Sequence, residues 1–290
     1  MFQRVTIVGL GLIGGSLARA LRAKNLVHEI VGCGRDERNL RRGVELEVID
    51  RFTTDPAQAV QGADLILVAV TLGATGEIFK RIGRELSPHA IITDVGSTKG
   101  SVVAAARASL GAALPRFVPG HPIAGGEKSG VEAALATLFE RHRVILTPLS
   151  ETSLPAVETV RRMWEATGAQ ITIMDVAHHD EVLAATSHLP HMLAFALIDC
   201  LASASDRGEI FDYAAGGFRD FTRIASSNPE MWRDIALANR SALSTICLRF
   251  RQTLGALERA IEREDGDALR AMFMRAKQAR DDYLARRAVP

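Results

Sequence analysis

Three polar segments of the chain carry residue types that commonly bind substrates or move protons. Residues 94–99 read DVGSTK and include Ser97, residues 120–127 read GHPIAGGE and include His121, and residues 187–191 read SHLPH. An imidazole titrates near neutral pH, so His121 is a candidate general base. Taken alone, however, His121 is better explained as a structural histidine with satisfied hydrogen bonds.

Two groups of histidines raise the question of a metal site. His188 and His191 lie on one predicted helix, but no third ligand follows at helical spacing, so we predict no metal there. Residues 178–180 (His-His-Asp) have a more metal-like composition, yet they lie at a helix start and we expect them to face solvent. Ser187 and His191 are four residues apart and share a helix face, while Pro190 predicts a kink between them.

A glycine-rich turn, Gly9-Leu10-Gly11-Leu12-Ile13-Gly14, directly follows an apolar strand and opens a helix. In that context G-x-G-x-x-G predicts a dinucleotide site rather than a merely structural turn. Gly9 permits the tight turn, Gly11 lets the backbone approach the pyrophosphate, and Gly14 allows the helix to pack closely on the strand. The free N–H groups at the helix N-terminus are then available to the phosphates.

The end of the second predicted strand indicates which dinucleotide is bound. About 20 residues past the third glycine, an acidic residue usually binds the ribose 2′-hydroxyl of NAD; this chain has Gly34-Arg35-Asp36 there. A glycine at this point removes the carboxylate that would repel a 2′-phosphate, and Arg35 supplies a cation to pair with one. The sequence therefore favours NADP, with NAD as the alternative if Asp36 reaches the ribose. Thr71, just after the third strand, is a further predicted cofactor contact.

The first half of the chain alternates short apolar runs with helix-like segments. The runs predict strands at residues 4–8, 29–33, 64–70, 90–94, 116–118, 143–147 and 170–173. Near-continuous Val, Ile and Leu runs separated by helices are typical of a parallel sheet covered on both faces. We therefore predict an α/β, Rossmann-type, doubly wound and mainly parallel sheet over residues 1–174.

From residue 175 the strand-like runs stop and helical patterns replace them. Asn228 followed by Pro229 predicts a helix start. Apolar side chains then recur at steps of three and four on one stripe of a long helix: Leu243, Cys247, Phe250, Leu254, Leu257 and Ile261. We predict an all-α domain over residues 175–290 that binds substrate and dimerises. Packing of the stripe within one chain is the alternative.

The overall composition excludes some classes of partner. The 290 residues carry 35 basic and 34 acidic side chains, a net charge of +1. This balance argues against nucleic acid, because binding its phosphates needs a net basic face. The three cysteines are far apart and form no C-x-x-C pair, which fits a reducing cytoplasm. We find neither a signal-peptide cleavage site nor an uninterrupted apolar run of about 18 residues, so we expect a cytoplasmic protein without membrane contact.

Taken together, these segments resemble the prephenate/arogenate dehydrogenase family over essentially the whole chain, in particular its bacterial cyclohexadienyl dehydrogenase type. The matching stretches are the glycine turn, DVGSTKG, GHPIAGGEKSG, SHLPH and GGFRDFTRIASSNPEMWRD. The resemblance implies oxidative decarboxylation of prephenate to 4-hydroxyphenylpyruvate, or of arogenate to tyrosine, with hydride transfer to NAD(P)+ in tyrosine biosynthesis. It also implies a homodimer acting on a small-molecule substrate.

The resemblance further implies roles for individual residues. His121 matches the histidine that hydrogen-bonds the ring C4 hydroxyl, and Ser97 matches a serine between nicotinamide and substrate. Arg223 matches an arginine that holds a substrate carboxylate; from the residues alone, a surface arginine paired with Asp220 is the alternative. The other predicted substrate contacts are Ser187, His188, His191, Glu127, Asp220 and Trp232. Of these, Trp232 resembles a tryptophan contributed by the partner subunit.

One departure and two rival functions stay open. Many relatives carry Thr or Ser where this chain has Gly126, so the choice between a keto and an amino side chain on the substrate is undetermined. The first rival is a 3-hydroxyacid dehydrogenase or an imine reductase. Hydroxyacid dehydrogenases of that group depend on a lysine in the helical domain, where this chain has only Lys277, in the last helix. The second rival, a non-catalytic dinucleotide sensor, would not need His121, His191 and Arg223 together.

Overall fold

A computed structural model describes residues 1–126, 128–203 and 207–288 of the chain. The chain forms two compact units, Met1–Arg240 and Ser241–Pro290. The larger unit thus extends well past residue 174. The division into residues 1–174 and 175–290 stays a proposal based on the change from strand-like to helical sequence.

A six-stranded sheet with the order β3-β2-β1-β4-β5-β6 forms the centre of the larger unit. Its strands are β1 (Phe2–Val8), β2 (Val27–Cys33), β3 (Arg51–Thr53), β4 (Leu65–Val68), β5 (Ile91–Asp94) and β6 (Phe117–Val118). All neighbouring strands in it are parallel. The strand order reverses between β1 and β4, and in such sheets ligands bind at the carboxyl ends of the strands beside that switch point. The predicted Rossmann-type fold is confirmed.

Successive residues of the strands pack into two separate hydrophobic clusters, as expected for a sheet covered on both faces. The covering helices are α1 (Leu12–Ala23), α2 (Glu37–Glu45), α3 (Pro56–Ala59), α4 (Leu72–Ile82), α5 (Gly100–Ser109) and α6 (Leu154–Ala166). Val5 and Ile7 of β1 belong to a cluster with Leu17 of α1, whereas Val8 belongs to a cluster with Phe79 of α4. Each of these side chains is at most 1% exposed.

A second, three-stranded sheet takes up two of the predicted strands, those at residues 143–147 and 170–173. Its strands are β7 (Gly120–Pro122), β8 (Arg143–Leu146) and β9 (Gln170–Ile173). β7 runs antiparallel to β8, and His121 pairs with Ile145. Neither β7 nor β3 is predicted from the sequence, because three residues are too few to show an alternating pattern. His121 is thereby held by strand pairing and does not lie in a free loop.

Helices make up the described chain after residue 175: α7 (Val176–Leu183), α8 (Leu189–Ala202), α9 (Arg207–Asp212), α10 (Gly216–Thr222), α11 (Pro229–Ala238), α12 (Arg240–Glu262) and α13 (Gly266–Ala288). Asn228 caps α11 as predicted, accepting a hydrogen bond from the backbone N–H of Met231 at 3.0 Å. α12 carries the predicted apolar stripe. Within one chain Phe250, Leu254 and Ile261 of that stripe remain 37%, 51% and 59% exposed.

The stretch Val176–Ala202 is long and apolar enough to cross a membrane by length and composition alone, with a mean hydropathy of 1.3. It is interrupted by a π-helical turn, Ala184–His188, directly before Pro190, which is where the proline predicts a distortion. His179 and His188 on this stretch are buried and hydrogen-bonded to other parts of the fold. We therefore interpret the stretch as part of the folded site and not as a membrane span.

Candidate active site

The glycine turn lies at the end of β1, and its three glycines meet three different constraints. Gly9 has a φ of +103°, and a Cβ there would clash with the carbonyl oxygen of Ala69 just after β4. A Cβ on Gly14 would lie 2.8 Å from Cγ2 of Ile7, so α1 packs directly on β1. A Cβ on Gly11 would meet no atom within 4 Å. The predicted reasons for Gly9 and Gly14 are confirmed, and the open space beside Gly11 fits the approach of a pyrophosphate.

The first turn of α1 is available to a phosphate. Its N-cap is Gly11, which has no side chain that could accept a capping hydrogen bond. The N–H groups of the first turn therefore lack an intrahelical partner. Leu10 is only 4% exposed, and its side chain belongs to the core. It can therefore contact a cofactor through its backbone only, whereas Leu12 and Ile13 are half-buried at the turn.

The residues predicted to select the dinucleotide follow β2 at the same edge of the sheet. Asp36 is the N-cap of α2, and its carboxylate accepts hydrogen bonds from the backbone N–H groups of Arg38 at 3.0 Å and Asn39 at 3.4 Å. Arg35 is exposed. Thr71, the N-cap of α4, is also exposed and its hydroxyl makes no capping hydrogen bond. The carboxylate is thus engaged in the helix cap, while Arg35 lies on the surface.

The loop after β5 is built around a buried ion pair. Nζ of Lys99 is fully buried and donates to Oδ2 of Asp94 at 2.5 Å and to the carbonyl oxygen of Gly120 at 2.6 Å. The other carboxylate oxygen of Asp94 accepts from the N–H of Gly120 at 3.1 Å. Because a buried charge is tolerated only when it is paired and hydrogen-bonded, this pair fixes the loop to β7. The loop holds half-buried Ser97, and β7 holds His121.

His121 belongs to a chain of hydrogen bonds that the sequence analysis does not predict. Its Nδ1 lies 2.9 Å from Nε2 of His179, and Nδ1 of His179 lies 2.8 Å from Oδ1 of Asp180. The Asp180 carboxylate also accepts from the backbone N–H groups of Lys99 at 2.7 Å and Gly100 at 2.8 Å. His179 is fully buried, so the expectation that residues 178–180 face solvent is wrong for His179. Only His178 of this group is exposed.

The electrostatic surroundings keep His121 in its neutral form near neutral pH. Burial lowers its pKa well below the ordinary value of 6.5, and the charge of Lys99 lowers it further. Hydrogen bonds from His179 and from the backbone of Lys99 and Gly100 lower the pKa of Asp180, against the opposing effect of burial. His121 is 9% exposed. A neutral imidazole of this kind is suited to accept a proton.

His188 lies deeper than the other residues of its segment. It is 1% exposed, and its Nδ1 lies 3.1 Å from Nδ2 of Asn239, which also donates to the carbonyl oxygen of Asp180 at 2.8 Å. Burial lowers the pKa of His188 to about 4, while the backbone of Ser97 favours its protonated form. The structure therefore places His188 behind the loop that carries Ser97, and its predicted contact with substrate stays a prediction.

His191 and Trp232 form one wall of the site. Their rings stack with centroids 3.7 Å apart and planes inclined by 22°, and Nδ1 of His191 donates to the carbonyl oxygen of Ser187 at 2.9 Å. Trp232 is 7% exposed, and its Nε1 has no hydrogen-bond partner among the described residues. Trp232 thus contacts a histidine of its own chain, and its expected contribution from the partner subunit stays a prediction. The N-cap at Asn228 starts α11 so that Trp232 stacks on its own chain.

Two of the remaining predicted substrate contacts, Arg223 and Asp220, are exposed on or next to α10. Arg223 follows α10, is exposed, and is close enough to lower the pKa of His191, secondary to the effect of burial. Asp220 is exposed on α10, and Glu127 lies outside the described residues. The structure thus brings His121, His188 and His191 into one region together with Ser97 and Arg223. It does not place Asp220 in contact with that group.

His179, Asp180 and Asn239 are site residues that are not predicted from the sequence. His179 contacts a partner 58 residues away along the chain, and no local pattern indicates such a contact. One signal was present: residues 178–180 combine two histidines with an aspartate. Within the described residues, no group of three or more His, Cys, Asp or Glu side chains is arranged to hold a metal ion.

An open glycine turn at the switch point of a parallel sheet is typical of dinucleotide-binding dehydrogenases, and the buried, neutral His121 adds a candidate base. Comparison with known proteins gives the family. Residues 17–173 match the model of the prephenate dehydrogenase nucleotide-binding domain, and residues 175–275 match that of the prephenate dehydrogenase dimerization domain. The chain belongs to the prephenate dehydrogenase family.

Individual relatives resemble the chain over nearly its whole length. A cyclohexadienyl dehydrogenase of Zymomonas mobilis is 39% identical over 97% of this chain and 96% of its own. The crystal structure of prephenate dehydrogenase from Aquifex aeolicus in complex with hydroxyphenyl propionate and NAD+ is 38% identical, with a TM-score of 0.91 over 98% of this chain and 99% of its own. Synechocystis arogenate dehydrogenase is 31% identical, with a TM-score of 0.82 over 97% of this chain and 100% of its own.

Proposed function

We propose that this chain oxidatively decarboxylates prephenate, arogenate or both, with transfer of a hydride to NAD(P)+, in tyrosine biosynthesis. The observation that carries the proposal is the buried, neutral imidazole of His121, held between the loop after β5 and helix α7. Relatives named for prephenate, arogenate and cyclohexadienyl substrates support it. We also propose that the protein is a homodimer, since residues 175–275 match a dimerization domain. The proposed location is the cytoplasm, since the three cysteines form no C-x-x-C pair.

The residues at the carboxyl edge of the sheet fit a dinucleotide. The open space beside Gly11 and the uncapped first turn of α1 would hold the pyrophosphate. Thr71 and Ser97, which follow β4 and β5, would lie toward the nicotinamide. When bound, the nicotinamide accepts the hydride from C4 of the substrate ring.

His121 would move the proton that must leave when C4 is oxidised. As the hydride departs, the C4 hydroxyl becomes a carbonyl and its proton passes to the imidazole. The electron pair of the bond to the ring carboxylate then flows through the ring to the C4 oxygen, carbon dioxide leaves, and that oxygen takes a proton back. Aromatisation of the ring makes the step irreversible. A base that is neutral at physiological pH is what this sequence requires of His121.

Arg223, together with the wall formed by His191 and Trp232, would bind the polar groups of the substrate. Arg223 offers a planar guanidinium suited to a carboxylate. The buried Nε1–H of Trp232 has no partner among the described residues, and a buried donor gains most from a ligand acceptor. Because His191 donates from Nδ1 to Ser187, its Nε2 is left as an acceptor in the neutral form and would meet a donor group of the substrate, not a carboxylate.

We further propose that NADP is the preferred cofactor. Asp36 uses its carboxylate to cap α2, and Arg35 is exposed beside it. A Cβ on Gly34 would meet only the side chain of Leu40, at 3.6 Å, so Gly34→Asp can be built without a clash. We expect Gly34→Asp to shift the ratio of kcat/KM values toward NAD, since its carboxylate repels a 2′-phosphate. An unchanged ratio would count against the assignment.

The function is tested by steady-state rates with prephenate and with arogenate, each with NAD and with NADP. Turnover of at least one substrate with release of carbon dioxide supports the proposal, and no turnover of either overturns it. The rival hydroxyacid dehydrogenases depend on a lysine in the helical domain. The only lysine there, Lys277, is 76% exposed at its side chain and pairs with Asp281.

A further inference from the structure

We infer that His179 and Asp180 are positioning residues that fix which nitrogen of His121 carries the proton, so that Nε2 is left as the base. The inference rests on the proposed role of His121 as the base for the C4 hydroxyl. It concerns a pair of residues on α7 that touch neither the glycine turn nor the wall formed by His191 and Trp232. Their side chains hydrogen-bond to His121, to each other and to the backbone N–H groups of Lys99 and Gly100 at the start of α5.

The direction of the hydrogen bonds follows from the chemistry of the groups. An ionised carboxylate only accepts hydrogen bonds, so Asp180 requires the proton of His179 on Nδ1. Neutral His179 then has an unprotonated Nε2, which accepts from Nδ1–H of His121 at 2.9 Å. This leaves Nε2 of His121 unprotonated, with no hydrogen-bond partner among the described residues. The Asp180 carboxylate, two hydrogen bonds away from His121, therefore determines that Nε2 of His121 is the base.

The anchoring of Asp180 makes this selection firm. Its two carboxylate oxygens accept from the N–H groups of Lys99 and Gly100 at 2.7 and 2.8 Å, so the carboxylate cannot rotate without losing a bond at the start of α5. His179 is fully buried, and its ring cannot exchange its partners for water. A ring held at both nitrogens keeps one tautomer.

The same chain would stabilise the imidazolium that forms during the reaction. When Nε2 of His121 takes the substrate's proton, the positive ring keeps its Nδ1–H bond to His179. Asp180, at the far end of the chain, supplies a negative charge to the pair. No proton need leave His121 before it is returned to the C4 oxygen, so the bond to His179 orients the ring and lowers the energy of its charged form.

The test compares two substitutions of His179 with one of its neighbour. His179→Phe fills the space but accepts no hydrogen bond, whereas the amide of His179→Gln can accept from His121 and donate to Asp180. The matched control is His178→Phe, at the exposed position beside it. We expect kcat to fall ~100-fold in His179→Phe and by less than about tenfold in His179→Gln. KM for substrate and the unfolding temperature should stay close to those of the wild type.

A spectroscopic measurement reads the tautomer directly. In the ligand-free wild type, the 15N chemical shifts of the His121 ring should show the proton on Nδ1, and in His179→Phe the two tautomers should mix. A proton on Nε2 in the wild type would overturn the inference. So would equal losses of kcat in both His179 variants, or full activity in His179→Phe. Because this reading needs no substrate, it stays valid even if the wild type turns over neither prephenate nor arogenate, a result that would remove only the proposed function.

Discussion

The two ends of the candidate site differ in how deeply the folded chain buries them. At the His121 end, Lys99 and His179 are fully buried, and hydrogen bonds join β7, the loop after β5 and α7. At the Arg223 end, the guanidinium and the neighbouring Asp220 are exposed on and beside the short helix α10. The first end is therefore buried within the fold, whereas the second is open to solvent.

This contrast has a physical reason. A base must lie within hydrogen-bond reach of one proton, and a small displacement costs rate. A carboxylate-binding arginine must first meet its anion in water and then release the product, so exposure costs it little. We therefore expect substitutions at the His121 end to lower kcat or stability and substitutions at the Arg223 end to raise KM.

The largest effect should come from His121→Asn. The amide is close in size but does not take up a proton, so kcat should fall about 10³-fold, while the affinity for cofactor is unchanged because the glycine turn is untouched. Single-turnover rates and cofactor titration measure the two quantities separately. Near-normal turnover by this variant would contradict the expectation that substitutions at the His121 end lower kcat.

The buried pair beneath the base should dominate stability. Lys99→Met leaves Asp94 buried without its counter-charge and should lower the free energy of unfolding by about 3–5 kcal/mol. Arg107→Met, at an exposed pair with Glu151, is the control and should cost less than about 1 kcal/mol. Denaturant titration of the two variants gives the comparison. Equal losses would show that burial of the pair adds nothing.

Features defined by neighbouring residues could be predicted from the sequence, whereas contacts between distant residues could not. The glycine turn and the parallel strands are local patterns, and both were found because a few neighbouring residues define them. Contacts of His121 with His179 join residues 58 positions apart, and nothing near either residue encodes the other. Strand β7 has only three residues and shows no alternation. The second sheet and the partner of the base therefore required the structure.

At the exposed end, Arg223→Ala should raise KM for substrate tenfold to a hundredfold, as expected for loss of a charge-assisted hydrogen bond worth about 1.5–3 kcal/mol, with a smaller change in kcat. Arg219→Ala, exposed on α10, is the matched control and should leave KM unaltered. Initial rates over a range of substrate concentrations separate the two constants. A fall in kcat without a change in KM would contradict the proposed role of Arg223 in binding a substrate carboxylate.

The smallest effect concerns the wall between the two ends. Trp232→Leu removes the stack on His191 and the unpartnered Nε1–H, and we expect KM to rise by about tenfold. Whether Trp232 contributes to the site of its own chain is tested by co-expressing the Trp232→Leu chain and the His121→Asn chain with different tags. If the tryptophan acted across a dimer, the mixed dimer would contain one site with both His121 and Trp232 intact and would show the wild-type KM at that site. The stack within one chain predicts no such recovery, because each site of the mixed dimer then lacks one of the two residues.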